Sequence, residues 1–183
     1  MAKAALVLID GFEEIEAITI MDVLRRGGVD VTSISLRVGS ESRIVHGKHG
    51  MDILADRMFA EVSEEAFDVL AIPGGTTAYL DHEGLLAWVK RFDREEKILA
   101  AICAAPSVLG KAGVLRGKRA TIYPGMEEYA DGADIQPDMV IKDGRLITGK
   151  GPAASIAFSL ALLEDIQGAK AAEKVAEAML ASK

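Results

Sequence analysis

Short apolar runs alternate along this chain with stretches whose apolar positions recur every three or four residues. The run Ala4 to Ile9 predicts a buried strand. It is followed by a helix over Ile15 to Arg26, stopped by Gly27-Gly28. Val29 to Leu36 reads as the next strand. Arg43 to Leu54, interrupted by His46-Gly47-Lys48-His49-Gly50, has the form of a β-hairpin. Phe67 to Ile72 is a strand ending in Pro73-Gly74-Gly75, and Glu83 to Arg94 is an amphipathic helix. Five apolar residues, Ile98 to Ile102, run into Cys103. Pro106 then suits the first position of a helix through Ser107 to Ala112, because its missing N–H costs nothing there. Arg119 to Tyr123 predicts a short strand. Met139 to Ile141 and Arg145 to Thr148, joined by Lys142-Asp143-Gly144, predict a second hairpin. Two alanine-rich helices, Ala153 to Ile166 and Ala169 to Ala181, finish the chain. Strands alternating with helices imply an α/β fold, a mostly parallel sheet covered on both faces. Ligands in such sheets bind beyond the carboxyl ends of the strands, where the loops Asp10 to Glu16, Pro73 to Thr77 and Cys103 to Pro106 fall.

Composition narrows this picture. The 183 residues suffice for one domain with a full core, and no linker or repeat divides them, so residues 1–183 are read as a single domain. Aromatics are only 5% against 50% hydrophobic residues, so Ala, Val, Ile and Leu must build the core, a palette suited to buried parallel strands. A net charge of −7 gives no footprint for nucleic acid and argues against an anionic membrane surface. With one cysteine there is neither an intrachain disulfide nor a cysteine-rich metal site. The first strand begins without a signal-peptide pattern and no apolar run reaches membrane-spanning length, so a soluble cytoplasmic protein is expected.

Cys103 holds the most informative position. A side chain at a strand-to-helix corner projects from the sheet toward free backbone N–H groups, the geometry of a nucleophile elbow, and a helix N-terminus favours a thiolate. The competing reading is a small buried hydrophobe. The backbone N–H groups of Gly74-Gly75 could pair with that of Ala104 to form an oxyanion hole, although Pro-Gly-Gly is often only a tight turn. No Gly-Lys-Ser/Thr follows it, which excludes a P-loop. Glu13 and Glu14 are read as acids complementing the helix dipole. Glu16 has Thr19, Ile20 and Val23 at helical spacing, placing it on or near the apolar face. There it is either a desolvated proton shuttle or a solvated helix end. His46 and His49 are read as exposed hairpin residues, and the sequence points to no metal and no organic cofactor.

Four segments together resemble the DJ-1/ThiJ/PfpI superfamily, in its DJ-1/YajL-like branch, over essentially the full chain: Gly11-Phe12-Glu13-Glu14-Ile15-Glu16-Ala17, Leu70-Ala71-Ile72-Pro73-Gly74-Gly75, Ala100-Ala101-Ile102-Cys103-Ala104-Ala105-Pro106, and Thr148-Gly149-Lys150-Gly151-Pro152. The resemblance implies a flavodoxin-like three-layer α/β/α sandwich, of the kind shared with class I glutamine amidotransferases, assembled as a homodimer. It also implies a reactive Cys103 strained at the elbow, a protonated Glu16 bonded to its sulfur, and Gly75 and Ala104 as oxyanion-hole positions. Tyr123 stands where many members carry histidine, and a phenol is a poor base near neutral pH. Ala104 stands where the peptidase branch has histidine, and no downstream His-x-Glu of an amidotransferase exists. Two functions follow from the resemblance. One is a cofactor-free glyoxalase or deglycase acting on small aldehydes such as methylglyoxal or their adducts. The other is a redox-responsive stress protein or chaperone in which Cys103 senses oxidation.

Overall fold

The computed structural model describes residues 1–37, 39 and 42–181. From the amino terminus, β1 (Lys3–Leu8) leads through α1 (Glu14–Arg26) to β2 (Asp30–Ser35). A hairpin of β3 (Ile44–His46) and β4 (Asp52–Leu54) precedes the two-residue β5 (Arg57–Met58). Then come β6 (Val69–Ile72), α2 (Glu83–Arg94), β7 (Ile98–Ile102) and α3 (Pro106–Lys111). The remainder carries β8 (Arg119–Ala120), β9 (Asp134–Ile135), β10 (Val140–Asp143), β11 (Leu146–Gly149), α4 (Ser155–Gln167) and α5 (Ala169–Ala178).

Seven strands form one sheet in the order β10-β11-β7-β6-β1-β2-β5, parallel throughout except for the edge strand β10. Alternation along β1 separates the two covering layers. Ala4, Leu6 and Leu8 face Ala17, Ile20 and Leu24 of α1, Phe158 and Leu162 of α4 and Val175 of α5. Ala5 and Val7 belong to the opposite core, with Leu85, Trp88 and Phe92 of α2 and Val108 and Leu109 of α3. This is the flavodoxin-like three-layer sandwich expected. No helix among the described residues is long and apolar enough to cross a membrane.

Register decides what meets at the end of the sheet. Ile72 pairs with Ala101 and Gly149 with Ile102, so the Pro73-Gly74-Gly75 and Lys150-Gly151 segments leave the sheet beside Cys103. Leu6 pairs with Ala71, which brings the β1–α1 loop alongside the same turn. All four segments carrying the resemblance thereby converge.

The Arg119 to Tyr123 run differs from expectation. Only Arg119–Ala120 is a strand, pairing in parallel with Asp134–Ile135 outside the main sheet. Beyond it, the Thr121 N–H donates to Thr148 Oγ1 at 2.9 Å and the Tyr123 N–H to the Cys103 carbonyl at 2.9 Å. Backbone donors committed to the elbow cannot serve a ladder. The second hairpin runs through Asp143 and turns at Gly144, which has a positive φ of 62°, so its turn lies further along than predicted.

Candidate active site at the elbow after β7

Between Ile102 and Pro106 the chain turns so sharply that Cys103 adopts φ 63°, the left-handed region that a residue with a Cβ rarely occupies. Such a conformation costs about 1–3 kcal/mol and persists only where its surroundings fix it. Here the Cys103 N–H donates to the Gly149 carbonyl at 2.8 Å, while its own carbonyl accepts from the Tyr123 N–H at 2.9 Å. Neighbouring segments thus hold both backbone groups, and the thiol is left 8% exposed.

Glu16 lies on the buried face of α1 and is fully enclosed, so it is not a solvated helix end. Its Oε2 accepts the Gly74 N–H at 2.6 Å. Its Oε1 is buried without a well-formed hydrogen bond, and its electrostatic partner is the Cys103 thiol. Burial pushes the carboxyl up to about 7, against the opposing pull of the Gly74 N–H and the thiol. The thiol moves the same way. Burial, then the neighbouring charge of Glu16, pushes it up to about 12, opposed by the N–H groups of Ala104 and Gly75. The position at a helix N-terminus predicts a lowered thiol pKa, and the direction is the reverse. A six-residue helix contributes less than the cost of two negative charges side by side in a buried site. The two groups together therefore give up one proton readily and hold the second.

The Pro-Gly-Gly turn divides its donors: Gly74 serves Glu16, whereas Gly75 and Ala104 serve the sulfur. Only glycine fits here. A Cβ at Gly75, where φ is 97°, would lie 2.4 Å from the Glu13 nitrogen. One at Gly74 would lie 2.7 Å from Cys103 Cβ.

A cavity of about 680 Å³ opens over the thiol. It is lined by Glu13 and Ile15, by Lys48 and His49 of the β3–β4 hairpin, by Gly75, Thr76 and Thr77, by Cys103 and Ala104, and by Tyr123, Met126 and Pro152. Two of these residues, Glu13 and His49, meet with Glu14 in a cluster that the sequence reading did not anticipate. Glu13 and Glu14 do stand at the start of α1, where a helix dipole favours acids, but they are buried there, 6% and 1% exposed. His49, though its side chain is 59% exposed, is tied to both, with Nδ1 2.9 Å from Glu14 Oε2 and 3.6 Å from Glu13 Oε2. The cause is the hairpin, which folds back over the start of α1. Gly11 N–H donates to the His46 carbonyl at 2.7 Å and Lys48 N–H to the Phe12 carbonyl at 2.9 Å. A Cβ at Gly47 would lie 2.4 Å from Glu14 Oε1, so glycine permits that approach.

Glu14 Oε1 accepts the His49 N–H at 2.5 Å and the Met51 N–H at 3.4 Å. Burial acts to raise this carboxyl, yet the donors of its own backbone, His49 and Met51 hold it below the ordinary glutamate value. Glu13, Glu14 and His49 bring one ligand atom each within 4.8 Å of one another, a carboxylate–imidazole grouping that sequence spacing did not reveal. The direct Nδ1–Oε2 bond makes it a hydrogen-bonded cluster. Nothing local distinguishes these residues in the sequence; the glycines flanking Lys48-His49 marked a tight turn without saying what it would cover.

The DJ-1/PfpI family model matches residues 2–165. Protein dj-1beta of Drosophila melanogaster is 37% identical over 186 residues, covering 98% of this chain and 98% of that protein. Protein DJ-1 homolog A of Arabidopsis thaliana is 36% identical over 178 residues, 93% of this chain, which spans 44% of the plant protein's length. A deglycase of Pyrococcus abyssi is 34% identical over 147 residues, 78% of this chain and 86% of the archaeal one. The crystal structure of Drosophila DJ-1beta superposes with a TM-score of 0.93 at 34% identity, covering 100% of this chain and 99% of the other. A mostly parallel sheet with a strained cysteine at the end of β7, faced by a buried glutamate, and a match to these relatives along the chain together show that the protein belongs to the DJ-1/PfpI family.

Proposed function

We propose that the protein is a cofactor-free, cysteine-dependent glyoxalase or deglycase acting on small α-oxoaldehydes such as methylglyoxal, or on their adducts. The observation that carries this is the Cys103–Glu16 pair: a strained thiol facing the N–H groups of Gly75 and Ala104, coupled to a buried carboxyl that titrates at about 7. A carboxyl poised there can both give and take a proton at physiological pH.

When Glu16 holds the proton the two charges no longer repel, and the thiolate is stabilised by the Gly75 and Ala104 N–H groups. The sulfur lone pair adds to the aldehyde carbon and the carbonyl π pair moves to oxygen, which those N–H groups receive. Glu16 gives its proton to that oxygen, then as carboxylate removes the proton on the same carbon and returns it to the adjacent one, while the hydroxyl proton passes from the first oxygen to the second through the enediolate. The hemithioacetal becomes the thioester of an α-hydroxy acid. Water cleaves the C–S bond, releasing lactate from methylglyoxal and restoring the thiol. Tyr123 orients substrate or sulfur through its hydroxyl, and Gly74 supports the carboxyl.

Lactate production from methylglyoxal by the purified protein, compared with Cys103→Ser, is the test. Equal production by the two proteins overturns the assignment. A second reading has its own support: the same N–H pair and protonated carboxyl would stabilise a sulfinate, so Cys103 could serve as an oxidation sensor. We also propose a homodimer using α1, because Ile15 and Ile18 on this helix are 55% and 46% exposed, and Ile156 at the start of α4 is 46% exposed. Met21, by contrast, packs partly against the core.

A further inference from the structure

We propose that His49, oriented by the Glu14 carboxylate, is the acid–base residue that activates water for the release step; this rests on the aldehyde chemistry proposed above. Release needs a group that meets solvent-borne water and takes its proton. Glu16 is 0% exposed and is committed to Gly74 and the sulfur. Tyr123 lines the cavity, but a phenol is a poor base at neutral pH. Imidazole is the side chain suited to this task. His49 lines the same cavity as Cys103, and its side chain is 59% exposed.

The hydrogen bonds define how it would work. Glu14 is held in its ionised form, so Oε2 accepts and His49 Nδ1–H donates across their 2.9 Å contact. Nε2 is left as the nitrogen free to accept a proton. A buried carboxylate fixing the tautomer of an imidazole beside a nucleophile is an arrangement that general-base catalysis uses. The His49 and Met51 N–H bonds to Glu14 Oε1 also fix the backbone, so ring and loop are positioned together. The charged and titratable groups around His49 are Glu13 and Glu14 at the start of α1, Lys48 beside it, and Cys103 and Tyr123 on the shared cavity.

In the step itself, water oxygen adds to the thioester carbon while one water proton passes to Nε2 and the carbonyl pair moves to oxygen. Collapse of that oxyanion expels Cys103 as thiolate and leaves an α-hydroxy acid. The acid ionises, and the imidazolium returns its proton to solvent or to the thiolate.

His49→Ala should lower kcat for methylglyoxal about 10²–10⁴-fold. Intact-protein mass spectrometry during turnover should find one adduct accumulating on Cys103, and added imidazole should restore turnover. Because the side chain is mostly exposed, loss of fold is not expected, and circular dichroism checks it. Turnover within a few-fold of wild type, or lost turnover with neither adduct nor imidazole rescue, overturns the role of His49. If instead the wild type yields neither lactate nor an adduct on Cys103, the aldehyde chemistry itself fails, and the two failures are separable.

Discussion

The first turn of α1 presents one glutamate to the thiol and another to the β3–β4 hairpin, and the two surroundings have opposite effects on carboxyls two residues apart. Glu16 and Glu14 are 0% and 1% exposed. Burial raises both, yet Glu16 ends at about 7 while Glu14 falls below the ordinary glutamate value. Depth and donor supply together make the difference, because Glu16 sits far deeper among protein atoms than Glu14 and also has fewer donors. On the thiol side one N–H, that of Gly74, meets Glu16 and the other oxygen lacks a proper partner. On the hairpin side Glu14 receives its own N–H, the His49 ring and the backbone N–H groups of His49 and Met51. A charged carboxylate survives burial when several donors converge on it, and one left short of donors becomes a proton carrier.

The strongest challenge to this comparison is Glu16→Gln. The amide keeps an oxygen for Gly74 but cannot carry a proton to or from substrate. Turnover of methylglyoxal should fall about 10²–10⁴-fold. The same substitution removes the charge that pushes the Cys103 thiol up, so the midpoint of alkylation rate against pH should move downward. A midpoint that stays in place would mean that burial alone sets the thiol and that the pair is not coupled.

Stability against pH separates the two glutamates next. Glu16 rises from 4.5 in the unfolded chain to about 7 when folded. Its contribution is therefore fully present below 4.5 and is lost as pH rises through 7, a loss of up to about 3 kcal/mol at about 1.4 kcal/mol per pKa unit. Glu16→Gln should remove that decline and be the more stable protein at pH 8, as read from denaturant midpoints at pH 4 and pH 8.

Glu14→Gln should behave in the opposite sense. A carboxyl whose folded pKa is depressed adds stability above its unfolded value, and that contribution is lost as pH falls through the folded one. Replacing the anion by an amide at neutral pH should cost about 1–3 kcal/mol, because the NH₂ group faces donors it cannot satisfy. The gap between variant and wild type should narrow as pH falls below 4.5, the ordinary glutamate value, in the same denaturant series. A gap independent of pH would show that shape matters there and charge does not.

Tyr123→Phe should have the smallest effect. Its backbone N–H, which the substitution leaves intact, holds the Cys103 carbonyl. Loss of the hydroxyl should change kcat/KM only a few-fold, in keeping with one hydrogen bond of about 0.5–1.5 kcal/mol. A thousandfold loss would move Tyr123 from orienting substrate to transferring protons.

The sequence by itself determined the layered α/β architecture and the elbow. Strand and helix periodicity are local properties, and Pro106 and the Gly74-Gly75 turn carry backbone constraints that no other residue meets as well. Glu16 was half legible: helical spacing placed it near the apolar face but could not say whether solvent reached that turn. The strand expected over Arg119 to Tyr123 was shortened because its donors turn to Thr148 and Cys103, partners that lie elsewhere in the chain. The fate of Glu13, Glu14 and His49 was a tertiary decision altogether. His49 and Glu14 are 35 residues apart and meet only because the β3–β4 hairpin folds back onto the β1–α1 loop through backbone bonds of Gly11 and Lys48. Periodicity reports which way a side chain faces within its own element. Whether a carboxyl then finds water, one donor or four depends on what other elements bring to it.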